Sequence, residues 1–505
     1  MKFKILKPLS LAFILGLWMS SCQNPPSDTT DETTETEEVA EESGTTYIRR
    51  NAQSPAASSD LAAMNTAFVK LRDMPCTEPV SWYYQGAMHW VPNTVPNGNP
   101  LCPEYQDSSQ AMTAWMNCTH APGSELHFLI WHRLYIYYLE RIIRKYSGKA
   151  DFALPYWDYT NMAYRKMPDP FRDKNTSLFA SARLDSLNEG YPIGSFMDQN
   201  LDVTDLFENR IFSIFNKNID KAPHGAMHNY IGGAYAKIVV WNEIYQEDRD
   251  GLMAEVSSAA FDPIFWLHHS NIDYLWQKWE NSPNGARPSL EALEAKPWGY
   301  TFFDENGNKI ELTVAEAYDM AFNKMDYTYD AFDVKPLLTS IETNLQEDQE
   351  PEVIASAKPK KRVGQKGSQF AVDLSAKKEK MVLKSDQAEY VLLLTIHVSF
   401  KSEPNHSYEV YIREQGVEED IVSKENLAGI MTFFGAEHHA KEHGHHDGHQ
   451  HGDKMSSSFT FDVSDEIDLS KFNGKLDVDI RRKGKPTDEE LVIEEISLQK
   501  VPLNP

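Results

Sequence analysis

Positive charge is scarce in this sequence of 505 residues. Lysine and arginine total 49 against 75 aspartates and glutamates, and the formal net charge is −26. A surface of that sign repels phosphate groups, which argues against nucleic acid or an anionic membrane surface as a partner. Long apolar runs are scarce as well. The run from Leu9 to Met19 is too short to favour a membrane-spanning helix.

The histidine motifs lack the acidic residue of an HExxH motif. A zinc hydrolase normally supplies a carboxylate ligand and a general base, and neither is evident here. The segment PHGAMHNYIGG instead places His224 and His228 four residues apart, on one face of a helix. The segment DPIFWLHHSNIDYLW has helical apolar spacing and predicts a buried helix that carries His268 and His269. Neighbours on a helix point about 100° apart, so we expect only one of these two to face a given centre.

More histidines occur upstream. The segment CTHAPGSELHFLIWHRLYIYYLE contains His120, His127 and His132, and His89 lies in YYQGAMHW. A buried imidazole must be satisfied by a hydrogen bond or by a metal. One such motif is weak evidence, but four histidine-bearing segments, three of them on apolar helical patterns, together predict a metal centre.

Four of the segments resemble the coupled dicopper proteins, which are the tyrosinases, catechol oxidases and molluscan haemocyanins. They are WHRLYIYYLE, LPYWDY, HGAMHN and DPIFWLHHSNID, and the resemblance runs from about Leu61 to Tyr329. It implies a mainly α catalytic domain, a four-helix bundle around two copper ions. Imidazole suits copper, and three neutral nitrogens per ion leave coordination positions open for dioxygen.

The resemblance also implies the metal ligands. At the motif DPxFWxxHxxxD the ligand corresponds to His269 and not to His268. The implied ligands are His224, His228 and His269 for one copper, and His89 and His132 for part of the other.

The remaining ligand is where this sequence departs from the family. A histidine normally lies nine residues before the one that matches His132, but that position is Gly123. The choice falls between His120 and His127. We favour His120, because Cys118-Thr119-His120 matches the Cys-x-His of fungal and molluscan members, whose cysteine forms a thioether to the ligand histidine. His127 lies five residues before His132, about 140° round a helix, so the two would point apart.

The N-terminus predicts export. Met1–Cys22 has a basic start, an apolar stretch and small residues before the cysteine, as in a secretory signal. MSSC resembles a bacterial lipobox, which would make Cys22 the lipidated first residue and anchor the protein to a bacterial membrane, facing the periplasm or the cell surface. The alternative is an ordinary signal peptide cut nearby. Residues 23–59 are polar and acidic with almost nothing apolar, which predicts a disordered tether.

The four cysteines can then be divided. With Cys22 assigned to the lipid and Cys118 to the thioether that the resemblance implies, Cys76 and Cys102 remain. We predict that these two form a disulfide in an oxidising compartment.

Composition divides the rest of the chain. We predict a catalytic domain over 60–335 and a linker over 336–369, which contains EDQEPE and KPKKRVGQKG. Period-two segments over 370–505 predict a β-sandwich, similar to the C-terminal domain of plant polyphenol oxidases, which packs over the copper site. Residues 437–454 hold seven histidines in 18 residues. They are either a solvated loop or a binder of transition metals.

The function implied by the resemblance is a dicopper oxidase. It would use O2 to oxidise a small phenolic substrate, an o-diphenol or o-aminophenol, to the o-quinone, and it would meet a membrane only through its lipid. Many hydroxylating members hold a water between a glutamate and an asparagine that directly follows the first ligand of the second copper. Here that position is Gly225, and Asp220 and Asn229 could only partly substitute. The alternatives are a monophenol-hydroxylating tyrosinase, an oxygen-binding protein and a copper-buffering protein.

Overall fold

A computed structural model describes residues 46–90, 102, 125–332, 351–365, 367–373, 390–416, 421–436, 454–467, 474–483 and 490–502. The predictions for Cys22, most of the tether, Cys118, His120 and nearly all of the histidine-rich loop lie outside these ranges. Within them, no helix is long and apolar enough to cross a membrane. A disulfide joins Cys76 to Cys102, the pair left by elimination.

Two long helices form the centre of the first part of the chain. Phe128–Ser147 ends at Gly148, whose left-handed φ of 77° is accessible to glycine, and carries Arg144 and Lys145 in its last turn. Ile264–Glu280 is buried on all sides from Ile264 to Trp276, as expected of an apolar helix inside a core. The other α-helices are Ser58–Arg72, Trp82–Ala87, Asp185–Asn188, Asp198–Leu201, Phe212–Ile219, Ala226–Ile231, Val256–Ala259, Leu290–Glu294 and Val314–Asn323.

Short strands brace this helical part. They are β1 (Tyr47–Arg49), β2 (Val240–Asn242), β3 (Glu247–Arg249), β4 (Tyr300–Phe303), β5 (Lys309–Leu312) and β6 (Tyr327–Tyr329). β2 pairs with β3 and β4 with β5, both antiparallel. β1 pairs with β6 in parallel, so the start and the end of the helical part are joined. The prediction of a disordered tether over residues 23–59 is therefore wrong for Tyr47–Arg49, because these residues find their pairing partner far along the chain.

A buried charge network lies beneath the β1–β6 pair. Arg49 donates to Asp273 at 3.1 Å, and Arg133 donates to the same carboxylate at 2.5 Å. The hydroxyls of Tyr327 and Tyr329 each donate to Asp273 at 2.6 Å. Burial alone would raise the pKa of Asp273, but Arg133 and Arg49 lower it. The carboxylate therefore stays charged in the core and links the helix Ile264–Glu280 to both strands.

The second part of the chain consists of two antiparallel sheets. The strands are β7 (Glu352–Ala357), β8 (Lys361–Arg362), β9 (Ser368–Asp373), β10 (Tyr390–Phe400), β11 (Tyr408–Glu414), β12 (Leu427–Met431), β13 (Met455–Asp462), β14 (Lys475–Arg482) and β15 (Val492–Pro502). One sheet has the order β13-β10-β15-β7, with β8 also on β15, and the other has the order β12-β11-β14-β9. Both sheets contribute side chains to a single apolar core, because alternate residues of each strand face inward.

Part of the predicted linker is folded. Within 336–369, β7 pairs with β15 in the register Ala357↔Ile496, and β8 pairs with β15 as well. The charged flanks EDQEPE and KPKKR dominate the composition there, and the partner strand lies far along the chain. The β part therefore begins earlier than the sequence predicts. β12 was also not anticipated, because LAGIM is short and shows no clear alternation.

Candidate metal centre

Four helices and one turn bring five of the six predicted ligands into one buried cluster, in which each side chain is at most 3% exposed. The cluster residues are His89 after Trp82–Ala87, His132 on Phe128–Ser147, His224 in the turn Asp220–Gly225, His228 on Ala226–Ile231, and His269 on Ile264–Glu280. The predicted sixth ligand, His120, lies outside the described residues.

Backbone carbonyls orient four of these rings. A carbonyl oxygen only accepts, so each Nδ1 that lies against one carries the hydrogen and leaves the Nε2 lone pair for another partner. The pairs are His89 with Val256 O at 2.7 Å, His132 with Phe128 O at 2.8 Å, His224 with Asp220 O at 3.0 Å, and His228 with Met253 O at 2.8 Å. The Nε2 atoms of His89 and His132 then face each other at 3.5 Å, an arrangement of two acceptors that an electrophile would stabilise.

The histidines form two groups that share one member. In the first group, His224, His228, His268 and His269 each place one ring nitrogen within 4.8 Å of the others. The second group consists of His89, His132 and His269, with the same spacing.

Several of these nitrogens are unsatisfied. Among the described residues, Nε2 of His228, Nε2 of His268 and both nitrogens of His269 have no hydrogen-bond partner. Leaving a buried polar atom in that state costs about 1–3 kcal/mol. Burial is also the main factor that lowers the pKa of His132, His228, His268 and His269, which keeps them in the neutral form that metals bind. The donor set fits metal ions that prefer imidazole.

His268 is the site residue that the sequence did not predict. We expected only one of the adjacent histidines to face a given centre, and this was wrong, because both reach the His224–His228 group. The side chains are long enough to offset the 100° between their directions, and their ring centroids are 5.1 Å apart. Nδ1 of His268 hydrogen-bonds with the hydroxyl of Tyr159 at 2.8 Å, which turns its Nε2 toward the cluster.

His127, the other candidate for the third ligand, points away from the cluster. Its Nδ1 lies 2.7 Å from the hydroxyl of Tyr300 and its Nε2 lies 2.6 Å from Lys296 O. Both nitrogens are therefore engaged in a separate part of the core. The structure thus disfavours His127 as a ligand, in agreement with the argument from helical angle.

The three residues predicted to lie just behind the ligands differ in their surroundings. Asp220 places a carboxylate oxygen 3.2 Å from Nδ1 of His224 and pairs through the other with Lys221 at 2.7 Å. Asn229 is buried. Gly225 has helical φ and ψ of −61° and −33° and is covered by the second part of the chain.

A phenylalanine from the β part closes one side of the cluster. The ring of Phe434 stacks on His228 and meets His224 edge-on with centroids 5.8 Å apart. Its neighbour Phe433 packs in the other direction, beside Phe400 in the core shared by the two sheets. One short stretch after β12 therefore contributes to both cores.

Fold and site together define a class of protein: a helical part that encloses a histidine-only site for two metal ions, followed by a β part that covers it. Comparison with known proteins gives the family. A model described as the common central domain of tyrosinase matches residues 79–190 and 185–282. Residues 79–282 therefore carry the central domain of the tyrosinase and polyphenol oxidase family. Members of this family are copper oxidoreductases with a dicopper site, and the two histidine groups fit that cofactor.

Individual relatives match over part of their length. "Tyrosinase HcTyr1" of Hahella sp. (strain CCB-MM4) is 31% identical over 287 residues, which are 51% of this chain and 58% of that protein. "Polyphenol oxidase II, chloroplastic" of Ipomoea batatas is 25% identical over 322 residues, which are 56% of this chain and 50% of that protein. The chain therefore spans between 50% and 58% of the length of these two relatives.

Solved structures match over both parts of the chain. Recombinant latent aurone synthase, a polyphenol oxidase, has a TM-score of 0.58 at 17% identity, over 91% of this chain and 90% of that one. Latent apple tyrosinase has a TM-score of 0.58 at 17% identity, over 90% and 97%. At this identity the likeness shows a shared fold.

Proposed function

We propose that the protein is a dicopper oxidase that uses O2 to oxidise o-diphenols to o-quinones, with its histidine-bearing helices bundled around the two ions. The observation that carries the proposal is the pair of buried imidazole groups that share His269. Two copper ions, when bound, would supply dioxygen binding and accept the electrons of the substrate. His224, His228 and His269 would hold one ion, and His89, His132 and His120 the other.

The chain itself orients the ligands and excludes water. Because backbone carbonyls fix the rings of His89, His132, His224 and His228, little reorganisation is needed when metal binds. Apolar rings surround the imidazoles: Phe265 lies 4.2 Å from His269 and Phe128 lies 4.7 Å from His132, centroid to centroid. A dry surrounding strengthens electrostatic interactions within the site.

Phe434 supports a latent form of the enzyme. It presents an aromatic ring to His228 on the side of the cluster that faces the β part, where a phenol ring could otherwise stack. We infer that substrate must displace this ring, and that the β part dampens turnover until it moves.

The surroundings of His224 favour diphenols over monophenols. Hydroxylating a monophenol also requires its deprotonation. Gly225 has no side-chain acceptor, and the Asp220 carboxylate already contacts Lys221 and His224. A monophenol-hydroxylating tyrosinase is the alternative, supported by the family but not by this local arrangement.

The test is a metal and oxygen measurement on the purified full chain. Copper-loaded protein should bind two coppers outside residues 437–454 and oxidise a catechol. It should consume one O2 for every two catechols, with two quinones and two waters as products. A protein lacking that loop that binds zinc and no copper would refute the proposal. Reversible O2 uptake without quinone formation would indicate an oxygen carrier instead.

Export and lipid anchoring at Cys22 also belong to the proposal. The basic start, apolar stretch and MSSC sequence support them. The mass of the N-terminal peptide from the native host should include a diacylglyceryl group on Cys22, and an unmodified terminus at another residue would contradict this.

A further inference from the structure

Gly225 lies in the segment Lys221–His228, which carries the predicted ligands His224 and His228, although its backbone does not require glycine. Its φ of −61° and ψ of −33° are ordinary helical values that any L-residue adopts. Gly225 directly precedes the helix Ala226–Ile231, and alanine can adopt the same backbone conformation there. Local conformation therefore permits a side chain at this position, and the surroundings decide whether one fits.

Those surroundings belong largely to the β part. A Cβ atom at Gly225 would lie 3.0 Å from Oγ1 of Thr432 and 3.2 Å from Cβ of Phe434, and 3.1 Å from Asp220 O. These separations are shorter than ordinary van der Waals contact of about 3.5–4.0 Å. Two of the three neighbours come from the segment that covers the histidines.

The same two residues hold that segment in place. Thr432 is buried and donates from Oγ1 to Lys221 O at 2.7 Å. Phe434 is 4% exposed and stacks on His228. Gly225 thus lies next to both contacts between Thr432–Phe434 and the segment Lys221–His228.

We propose that the absence of a side chain at position 225 allows Thr432–Phe434 to close over the histidine cluster, so that any side chain there shifts the protein toward an open site. The closure follows from geometry alone. Its effect on catalysis rests on the proposed oxidase function.

The test measures closure without metal or substrate. Amide hydrogen exchange is followed in the peptide covering residues 430–436 of the metal-free full chain. Gly225→Ala should speed exchange there, and Gly225→Leu should speed it further, by roughly tenfold or more, because overpacking a buried contact destabilises the closed state. Gly194→Ala is the matched control: its Cβ would meet Phe196 at 3.3 Å, with the described β part not among its neighbours.

A second variant separates crowding from general damage. Thr432→Ala removes the atom nearest to the added Cβ, so Gly225→Ala should have a smaller effect in the Thr432→Ala background than in the wild type. Wild-type exchange in both Gly225 variants, or fully additive effects in this cycle, would overturn the proposal. If Gly225→Leu fails to fold, as judged by circular dichroism, the cycle of Gly225→Ala and Thr432→Ala still tests the proposal.

Failure of this inference is distinguishable from failure of the proposed function. If the protein does not oxidise catechols but shows the predicted exchange pattern, the closure is supported and the proposed oxidase function is wrong. If the protein oxidises catechols but substitutions at Gly225 leave the exchange unchanged, the oxidase function is supported and the proposed closure is wrong.

Discussion

The ring of Phe434 lies nearly parallel to the imidazole of His228, with centroids 4.1 Å apart and planes 14° apart. One residue belongs to the β part and the other to the candidate metal centre. The stack therefore couples the position of the β part to a candidate metal ligand. This coupling can be tested by changing the ring of Phe434 alone.

Truncating that ring should raise activity. Phe434→Ala should increase kcat/KM for bulky catechols by roughly three- to tenfold, because an aromatic pair contributes about 0.5–1.5 kcal/mol beyond its buried area. Phe434→Tyr keeps the ring and is the matched control. Equal rates for the alanine variant and the wild type, measured by quinone absorbance, would show that Phe434 does not limit access.

Metal content should distinguish the two adjacent histidines. His269→Ala should lose at least one copper and the activity with it, as should His228→Ala, because each removes an implied ligand. His268→Gln should retain two coppers, since the resemblance assigns the ligand to His269. His127→Gln is the control outside the cluster. Mass spectrometry of the intact holoprotein gives the count, and copper loss in His268→Gln alone would reverse the assignment.

Stability should fall as the pH rises from about 4.5 to about 8 because of Glu466. Burial, followed by Asp462, Asp465 and Asp205, raises the pKa of Glu466 from 4.5 to about 8. The folded chain thus binds this proton more tightly than the unfolded chain. The corresponding stability is complete below about pH 4.5 and is lost as the pH rises through about 8.

The substitution Glu466→Gln isolates this effect. Between pH 6 and pH 9 the variant should lose less stability than the wild type in urea titrations. The cavity around Glu466 also contains Asp202, which pairs with Lys424 at 2.8 Å, and Arg210 acts on Asp462. The control Glu490→Gln removes a partly exposed carboxylate that pairs with Lys401 and should keep the wild-type slope. An equal slope in Glu466→Gln would contradict the prediction.

Removing Arg49 should destabilise the fold strongly. Arg49→Ala leaves Asp273 and Glu140 with fewer partners in a dry core, and breaking such a buried pair costs about 3–5 kcal/mol. Lys309→Ala breaks an exposed pair with Glu311 and should cost at most about 1 kcal/mol. Chemical denaturation measures both. Similar losses in the two variants would mean that the network adds little.

Substrate choice at position 225 needs a size-matched comparison. Gly225→Asn supplies an acceptor beside His224 and should raise the monophenol rate relative to the catechol rate. Gly225→Leu has similar bulk and no acceptor, so it should raise access without changing that ratio. Initial rates with a trace of diphenol remove the lag phase. A ratio that changes equally in both variants would assign the effect to opening of the site.

The helices were predictable where apolar spacing is strong. The apolar patterns at the histidine motifs correspond to the helices Phe128–Ser147 and Ile264–Glu280. The period-two segments predicted over 370–505 include β10 and β14. β7 was missed because its six residues have no periodic pattern of their own, and only pairing with β15 makes them a strand.

The site was predictable in composition but not in detail. Motif spacing identified His224 and His228, and the resemblance supplied His89. The convergence of His268 with His269 depends on side-chain paths and on Tyr159, more than 100 residues away in sequence. The contact between Gly225 and Thr432 joins two parts of the chain that no local pattern relates.

Phe433 and Phe434 point in opposite directions. Whether the metal centre is covered therefore depends on the number of residues between β12 and this pair. Phe433 packs in the core shared by the two sheets and Phe434 in the helical core. Because these two neighbours point to opposite sides, we expect one residue inserted or deleted between Met431 and Phe433 to exchange their roles. A different number of residues in this stretch would therefore change whether the metal centre is covered, even if every contact within each part were kept.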